Sequence, residues 1–201
     1  MLIRLFCISL FVVMSAGCST ESTRGAAQGA TSGAVAGAVG GMVTALVFGG
    51  DVGQAAAQGA VWAGSAGAVT GGMQGAQQAS QNREIEAQQR AEQAQKVRKR
   101  IGDDAYSGLE ALAQCKHGVA VAYAETAQKS SNKDYALAGY WLEVMAVAER
   151  DGESVATAML PALVDHDPKL NSTDQARTLV GEVMDDLTRV RKDYGLATSC
   201  G

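Results

Sequence analysis

Small residues recur at every fourth position through a long stretch near the N-terminus. Because residues four apart lie on one face of an α-helix, each run of this kind predicts a helix with a smooth strip that carries no bulky side chain. Two such strips let helix backbones approach closely, as small-residue motifs do in membranes. A glycine-rich turn at residues 49–53 separates the two runs, so residues 25–79 are predicted to form a glycine-zipper helical hairpin. The helix-packing positions are Gly25, Gly29, Gly33, Gly37 and Gly41 in the first run and Gly59, Gly67, Gly71 and Gly75 in the second, where Ala63 takes one place.

The hairpin is predicted to associate with a membrane. No charged residue occurs in residues 25–50 or 52–82, and at 1.5 Å per residue either segment is long enough to cross a hydrocarbon core of about 30 Å. Fifteen of the 24 glycines fall within residues 25–75, and each costs a helix in water about 1 kcal/mol relative to alanine. Close packing in lipid offsets that cost, which favours this interpretation over a surface hairpin in water. A flexible linker is the other alternative, and the regular spacing argues against it.

The first 17 residues have the pattern of a secretory signal. Arg4 precedes a short apolar run at residues 5–14, which is too short to span a bilayer, and small residues follow. Ser15-Ala16-Gly17-Cys18 resembles the lipobox of bacterial lipoproteins, with Ser15 in place of the usual leucine. The resemblance implies lipidation at Cys18, a tether at residues 18–24 and, from Ser19, sorting to the outer membrane. The alternative is ordinary signal cleavage that leaves Cys18 as a free thiol.

Two glycine-zipper helices directly after such a signal resemble the glycine-zipper two-transmembrane lipoproteins of Gram-negative outer membranes, of the surface-antigen type. The resemblance covers roughly residues 18–78. It implies an envelope location and a role in envelope integrity or assembly, and it implies no catalytic activity. This chain differs from the typical small member because a long region follows the hairpin.

Residues 80–102 are predicted to form a polar, basic connecting helix. Its basic cluster consists of Lys96, Arg98, Lys99 and Arg100, and beside a membrane hairpin this cluster is suited to contact anionic head groups. The alternative is a solvated helix with ordinary surface charges. Nucleic acid is not a predicted partner, because no aromatic or groove-reading motif accompanies the basic run.

Residues 103–201 are predicted to form an α-helical bundle, so the whole chain is assigned to the all-α class. Helical periodicity predicts helices at residues 105–128, 134–150, 153–164 and 173–194, with Pro161 kinking or splitting the third. Ser172 and Gln175 form a capping box before the fourth helix, and Gly195 is placed to end it. Residues 140–152 faintly resemble a tetratricopeptide repeat, but no second copy follows at a fixed period, which favours a bundle without repeats.

The cysteines and histidines are the residues to consider for a disulfide, a metal site or a catalytic site. With Cys7 in the signal and Cys18 at the lipidation position, Cys115 and Cys200 are left to form a disulfide in an oxidising periplasm. No metal site is predicted, because Cys115 and His117 are two residues apart and do not share a helix face. No catalytic residue is predicted either: His166 lies in a turn-like sequence, and no nucleophile elbow or phosphate-binding loop is present.

These patterns predict a non-enzymatic, lipid-anchored envelope protein without a cofactor. The hairpin would contact membrane lipid and associate laterally into a homo-oligomer, and the helical domain would bind an unidentified envelope protein. The alternative is an oligomeric, membrane-active or pore-forming assembly of hairpins. Four polar residues of the hairpin distinguish these two hypotheses. They would line a wetted surface in a pore, and they would pair between helices in a packed anchor. These residues are Gln54, Gln58, Ser65 and Thr70. A third hypothesis is an enzyme whose site forms only in three dimensions.

Overall fold

The computed structural model of the chain describes residues 38–55, 88, 91–193, 195 and 197–200. Within these ranges all regular secondary structure is α-helical, so the all-α prediction is confirmed. Of the helix-packing glycines, Gly41 falls inside the described ranges. The signal, Cys18 and the other ladder positions, including the whole second run, lie outside them, and so does the predicted packing of the hairpin.

Six described helices follow residue 102. They are α1 (Asp103–Ala113), α2 (His117–Gln128), α3 (Lys133–Asp151), α4 (Glu153–Thr157), α5 (Leu160–His166) and α6 (Thr173–Asp193). Helical segments at residues 38–48, 52–55 and 91–101 precede them.

The single helix predicted for residues 105–128 is wrong, because the chain breaks between α1 and α2. Cys115 has a φ of 58°, in the left-handed region. The Lys116 N–H donates to the Ala111 carbonyl over 2.9 Å, and the Cys115 N–H donates to the Leu112 carbonyl over 3.0 Å. These two bonds form a Schellman motif with Cys115 at the position that glycine usually takes.

The other helix ends follow the local signals in the sequence. Pro161 lies in the first turn of α5, and the predicted third helix is split into α4 and α5 around it. At the start of α6 the Ser172 hydroxyl accepts from the Gln175 N–H over 3.2 Å, and the Gln175 side chain accepts from the Asn171 N–H over 2.9 Å. Gly195 follows α6 with a φ of 66°. Ser172 therefore caps α6 and Gly195 follows its end as predicted, whereas the Gln175 side chain bonds the N–H one residue before the cap.

Helices α1, α2 and α3 pack closely through small residues. A Cβ atom added at Gly139 in α3 would lie 2.7 Å from the Ala124 carbonyl oxygen and 2.8 Å from the Gln128 nitrogen, both on α2. Gly108 in α1 is similarly tight, since an added Cβ would overlap the side chain of Leu142. The backbones can approach to this extent because neither glycine carries a side chain.

Helix 38–48 contributes to the same hydrophobic core as the bundle. Met42 and Val43 are completely buried, and Leu46 and Val47 are 5% exposed. The Lys169 ammonium donates to the Val47 carbonyl over 2.8 Å, and Val97 packs against Gly40. The apolar end of the first glycine run is thus covered by protein. Among the described residues no helix combines the length and the apolar character needed to span a membrane.

Candidate functional site

A buried ion pair lies where the C-terminal ends of α1, α3 and α6 meet. Arg191 on α6 is 1% exposed, and its two terminal nitrogens donate to the two carboxylate oxygens of Glu149 on α3. Its Nη2 also donates to the Leu112 carbonyl over 2.6 Å. This carbonyl belongs to the last turn of α1, where the helix dipole favours a cation. The guanidinium therefore links all three helices.

Two further side chains approach the Glu149 carboxylate. His117, the first residue of α2, lies with its Nε2 3.0 Å from Glu149 Oε2. Cys200 Sγ lies 3.2 Å from Glu149 Oε1. Because this sulfur is bonded to Cys115, it carries no proton, and the approach is a van der Waals contact with the carboxylate. The cluster is defined here as Cys115, His117, Glu149, Arg191 and Cys200.

The disulfide predicted between Cys115 and Cys200 is present in the structure and holds the C-terminal tail on this cluster. The two Cα atoms are 5.3 Å apart, within the usual range for a disulfide. Cys115 is presented by its left-handed turn, so that its side chain leaves the axis of α1 and meets the tail.

Sequence reasoning missed Glu149 and Arg191. A signal for both is visible in retrospect: Arg191 lies four residues after Leu187 on the apolar stripe of α6, and Glu149 lies four residues after Met145 on that of α3. Opposite charges on two apolar stripes indicate a buried pair, because an unpaired buried charge costs several kcal/mol. The Arg191 Nε is buried and has no hydrogen-bond partner within the described part of the chain.

The basic cluster of helix 91–101 is partly engaged within the protein. Lys96, Lys99 and Arg100 are exposed, and the Arg100 guanidinium lies 5.5 Å from the ring centroid of Phe48. Arg98 lies 4.3 Å from the centre of the Tyr106 ring and forms ion pairs with Asp103 and Glu110, at 3.6 and 3.9 Å. An anionic surface would therefore meet three of the four cations directly, with Arg98 turned towards α1.

The turn predicted to carry a solvated histidine holds a buried acid as well. His166 is exposed and stacks on Tyr140 with ring centroids 4.0 Å apart. Asp167, the next residue, is 1% exposed. Its carboxylate accepts from the Trp141 indole N–H over 2.9 Å and pairs with Lys169 at 2.9 Å. Since Lys169 also binds the Val47 carbonyl, Asp167 connects helix 38–48 to the centre of α3.

A shallow groove runs between α3, α4 and α6. Its volume is about 290 Å³. Apolar side chains form its floor, and charged side chains border it. The lining residues are Ala148, Glu153, Ala156, Thr157, Leu160, Arg177, Val180, Gly181, Met184 and Asp185. Val155 on α4 is 46% exposed, which adds apolar surface to the same helix.

Comparison of the chain with protein-family models, with curated proteins and with solved structures found no match.

Proposed function

We propose that this protein is a lipid-anchored component of the bacterial cell envelope. Cys18 carries the lipid, the glycine-zipper hairpin associates with the outer membrane, and the helical domain binds a protein partner in support of envelope integrity or assembly. The smooth strips of the zipper also favour a homo-oligomer.

The observation that carries this proposal is the Cys115–Cys200 disulfide. Disulfides of this kind persist in oxidising compartments and are rare in the bacterial cytosol. A chain that begins with a signal-like segment and closes its C-terminal domain with a disulfide fits an exported protein.

The position of helix 38–48 supports a short link between the anchor and the domain. Its apolar residues are buried in the protein, and its C-terminal end is held by Lys169. The domain therefore stays within a limited reach of Cys18, about 20 residues before this helix. In this arrangement the lipid provides the principal attachment to the membrane.

The groove between α3, α4 and α6 is the surface that we assign to the protein partner. Its apolar floor and charged border resemble the core and rim of protein interfaces. An amphipathic helix that presents apolar residues at every third or fourth position would fit such a groove.

Cysteine substitution tests the anchor. Cells that express wild type, Cys18→Ala or Cys7→Ala are labelled with radioactive palmitate, and membranes are washed with high salt and carbonate. We expect label on wild type and on Cys7→Ala, and an unlabelled, washable Cys18→Ala. An unlabelled variant that resists washing would show that the hairpin holds the membrane by itself, which favours the pore-forming alternative. An unlabelled wild type would refute the lipoprotein assignment.

Site-specific photo-crosslinking in cells tests the groove. A photoreactive residue replaces Arg177 in the groove or Asp134 at the start of α3, both of which are exposed. We expect a discrete crosslinked product from position 177 and none from position 134. Equal products at both positions, or none at 177, would contradict the assignment of the groove.

A further inference from the structure

Two sulfur atoms, an imidazole and a carboxylate converge where α2, α3 and the C-terminal tail meet. His117, Glu149 and Cys200 each offer one ligand atom, and these three atoms lie within 4.8 Å of one another. Cys115 brings the second sulfur, because it is bonded to Cys200. Glu149 and His117 are each about one-tenth exposed, so that the carboxylate and imidazole are fixed by the fold and shielded from bulk water.

We propose that reduction of the disulfide converts this cluster into a Zn²⁺ site with Cys115, Cys200, His117 and Glu149 as ligands. Tetrahedral Zn²⁺ binds thiolate, imidazole and carboxylate at about 2.0–2.3 Å, which places neighbouring ligand atoms roughly 3.3–3.8 Å apart. In the oxidised structure Cys200 Sγ is 3.2 Å from Glu149 Oε1, and His117 Nε2 is 3.0 Å from Glu149 Oε2. Reduction separates the two sulfurs and frees both as thiolate ligands for the ion.

The chemistry of the conversion balances with a dithiol as the reductant. The dithiol transfers two electrons and two protons to the disulfide; the S–S bond opens to two thiols, and the reductant becomes a disulfide. Zn²⁺ then displaces the two thiol protons, which pass to solvent, because the metal binds the thiolate form. The His117 nitrogen that binds the ion must be unprotonated, so its hydrogen bond with Glu149 is replaced by a bond to the metal.

Arg191 makes the site electrically balanced. Two thiolates and one carboxylate carry three negative charges, against two on the ion and one on the guanidinium. Glu149 has two oxygens, and one can bind the metal while the other keeps its bond to Arg191. An outer partner that orients a carboxylate ligand in this way is usual at metal sites. The ion would then link the tail to the bundle as the disulfide does in the oxidised state.

The test measures Zn²⁺ binding to the full chain, purified in detergent, in its oxidised and dithiol-reduced states. The reductant is removed before titration by calorimetry, and Co²⁺ serves as a spectroscopic substitute. We expect one ion per chain in the reduced protein, a thiolate-to-cobalt charge-transfer band, and a thermal midpoint that rises with Zn²⁺. The oxidised protein should bind at least about tenfold more weakly, because its sulfurs are not available as ligands.

Four variants make the result specific. His117→Ala and Cys200→Ser should each weaken binding by about tenfold or more, and His166→Ala, which changes an exposed histidine outside the cluster, should bind as wild type does. The Cys115→Ser/Cys200→Ser double variant leaves the rest of the chain unchanged and reports any Zn²⁺ binding outside the cluster. The proposal is overturned if this double variant binds Zn²⁺ as tightly as the reduced wild type, or if reduction does not change the affinity. Far-ultraviolet circular dichroism of each variant separates loss of a ligand from loss of the fold. The result is independent of the lipid anchor and of the partner.

Discussion

At the scale of single residues, Asp167 shows how one buried acid holds several elements together. Its carboxylate is the acceptor for the buried Trp141 indole N–H and the partner of Lys169. We expect Asp167→Ala to lower the free energy of unfolding by about 1–3 kcal/mol, because the indole N–H would remain buried without an acceptor. Asp165→Ala, two residues earlier and exposed, is the matched control and should change it by less than about 0.5 kcal/mol. Equal shifts of the two urea midpoints would contradict this role.

Tyr106 gives the protein a dependence on alkaline pH. Burial is the main cause that raises the pKa of Tyr106 above its ordinary value of 10.0, and the Glu110 carboxylate adds to it. The folded state then keeps the phenolic proton at a pH where the unfolded state loses it. The stability that Tyr106 contributes in its protonated form is complete below about pH 10, and it is lost as the pH rises through the pKa of the folded state. The stability of wild type relative to Tyr106→Phe should therefore fall in urea titrations between about pH 9 and pH 11. Parallel profiles would exclude the effect.

At the scale of helices, the signals that act locally predicted structure well. Pro161, the Ser172–Gln175 capping box and Gly195 each mark a helix boundary by their own backbone chemistry, and the boundaries lie where these residues predict. The break between α1 and α2 was missed because its left-handed position holds Cys115, a residue that carries no local signal for that conformation. The partner that Cys115 requires in the tail lies 85 residues away.

The candidate site could not be predicted as a whole for a related reason. Glu149 and Arg191 are 42 residues apart in sequence. Helical periodicity places each of them on the apolar face of its own helix, but it does not show which helices pack against each other. The histidine and the two cysteines were recognised individually, and the chemistry depends on their convergence. Only the packing of α3 against α6 and the return of the tail bring these groups together.

Alanine substitution is expected to have opposite effects on stability at a tightly packed glycine of α3 and at an open glycine of α6. Gly139→Ala places a Cβ against the backbone of α2, and we expect it to lower stability by about 1–3 kcal/mol despite the better helix propensity of alanine. Gly181, within α6, has open space around the same position. Gly181→Ala should therefore raise stability by up to about 1 kcal/mol. Thermal or urea unfolding of the two variants gives the signs, and the same sign for both would contradict this account of the packing.

At the scale of the whole molecule, helix 38–48 connects the end of the first glycine run to the hydrophobic core of the bundle. Glycine spacing and the absence of charge describe a surface that packs closely, and they do not say whether that surface meets lipid or protein. In the structure this end of the first run meets protein, and Lys169 joins it to the Asp167 network. The helix and the domain are therefore expected to unfold as one cooperative unit.

Met42 and Phe48 provide the test of this coupling. Met42 is fully buried, whereas Phe48, at the end of the same helix, is 42% exposed. If helix 38–48 belongs to the core of the bundle, Met42→Ala should lower the unfolding free energy of the domain by about 2–5 kcal/mol. Phe48→Ala should cost markedly less, because much of its ring is already in contact with solvent. Unfolding is followed in detergent by tryptophan fluorescence in a Trp62→Phe background, so that Trp141 alone reports on the bundle. If Met42→Ala and wild type unfold with the same free energy, helix 38–48 is not part of the core of the bundle. Its apolar face would then be assigned to the membrane.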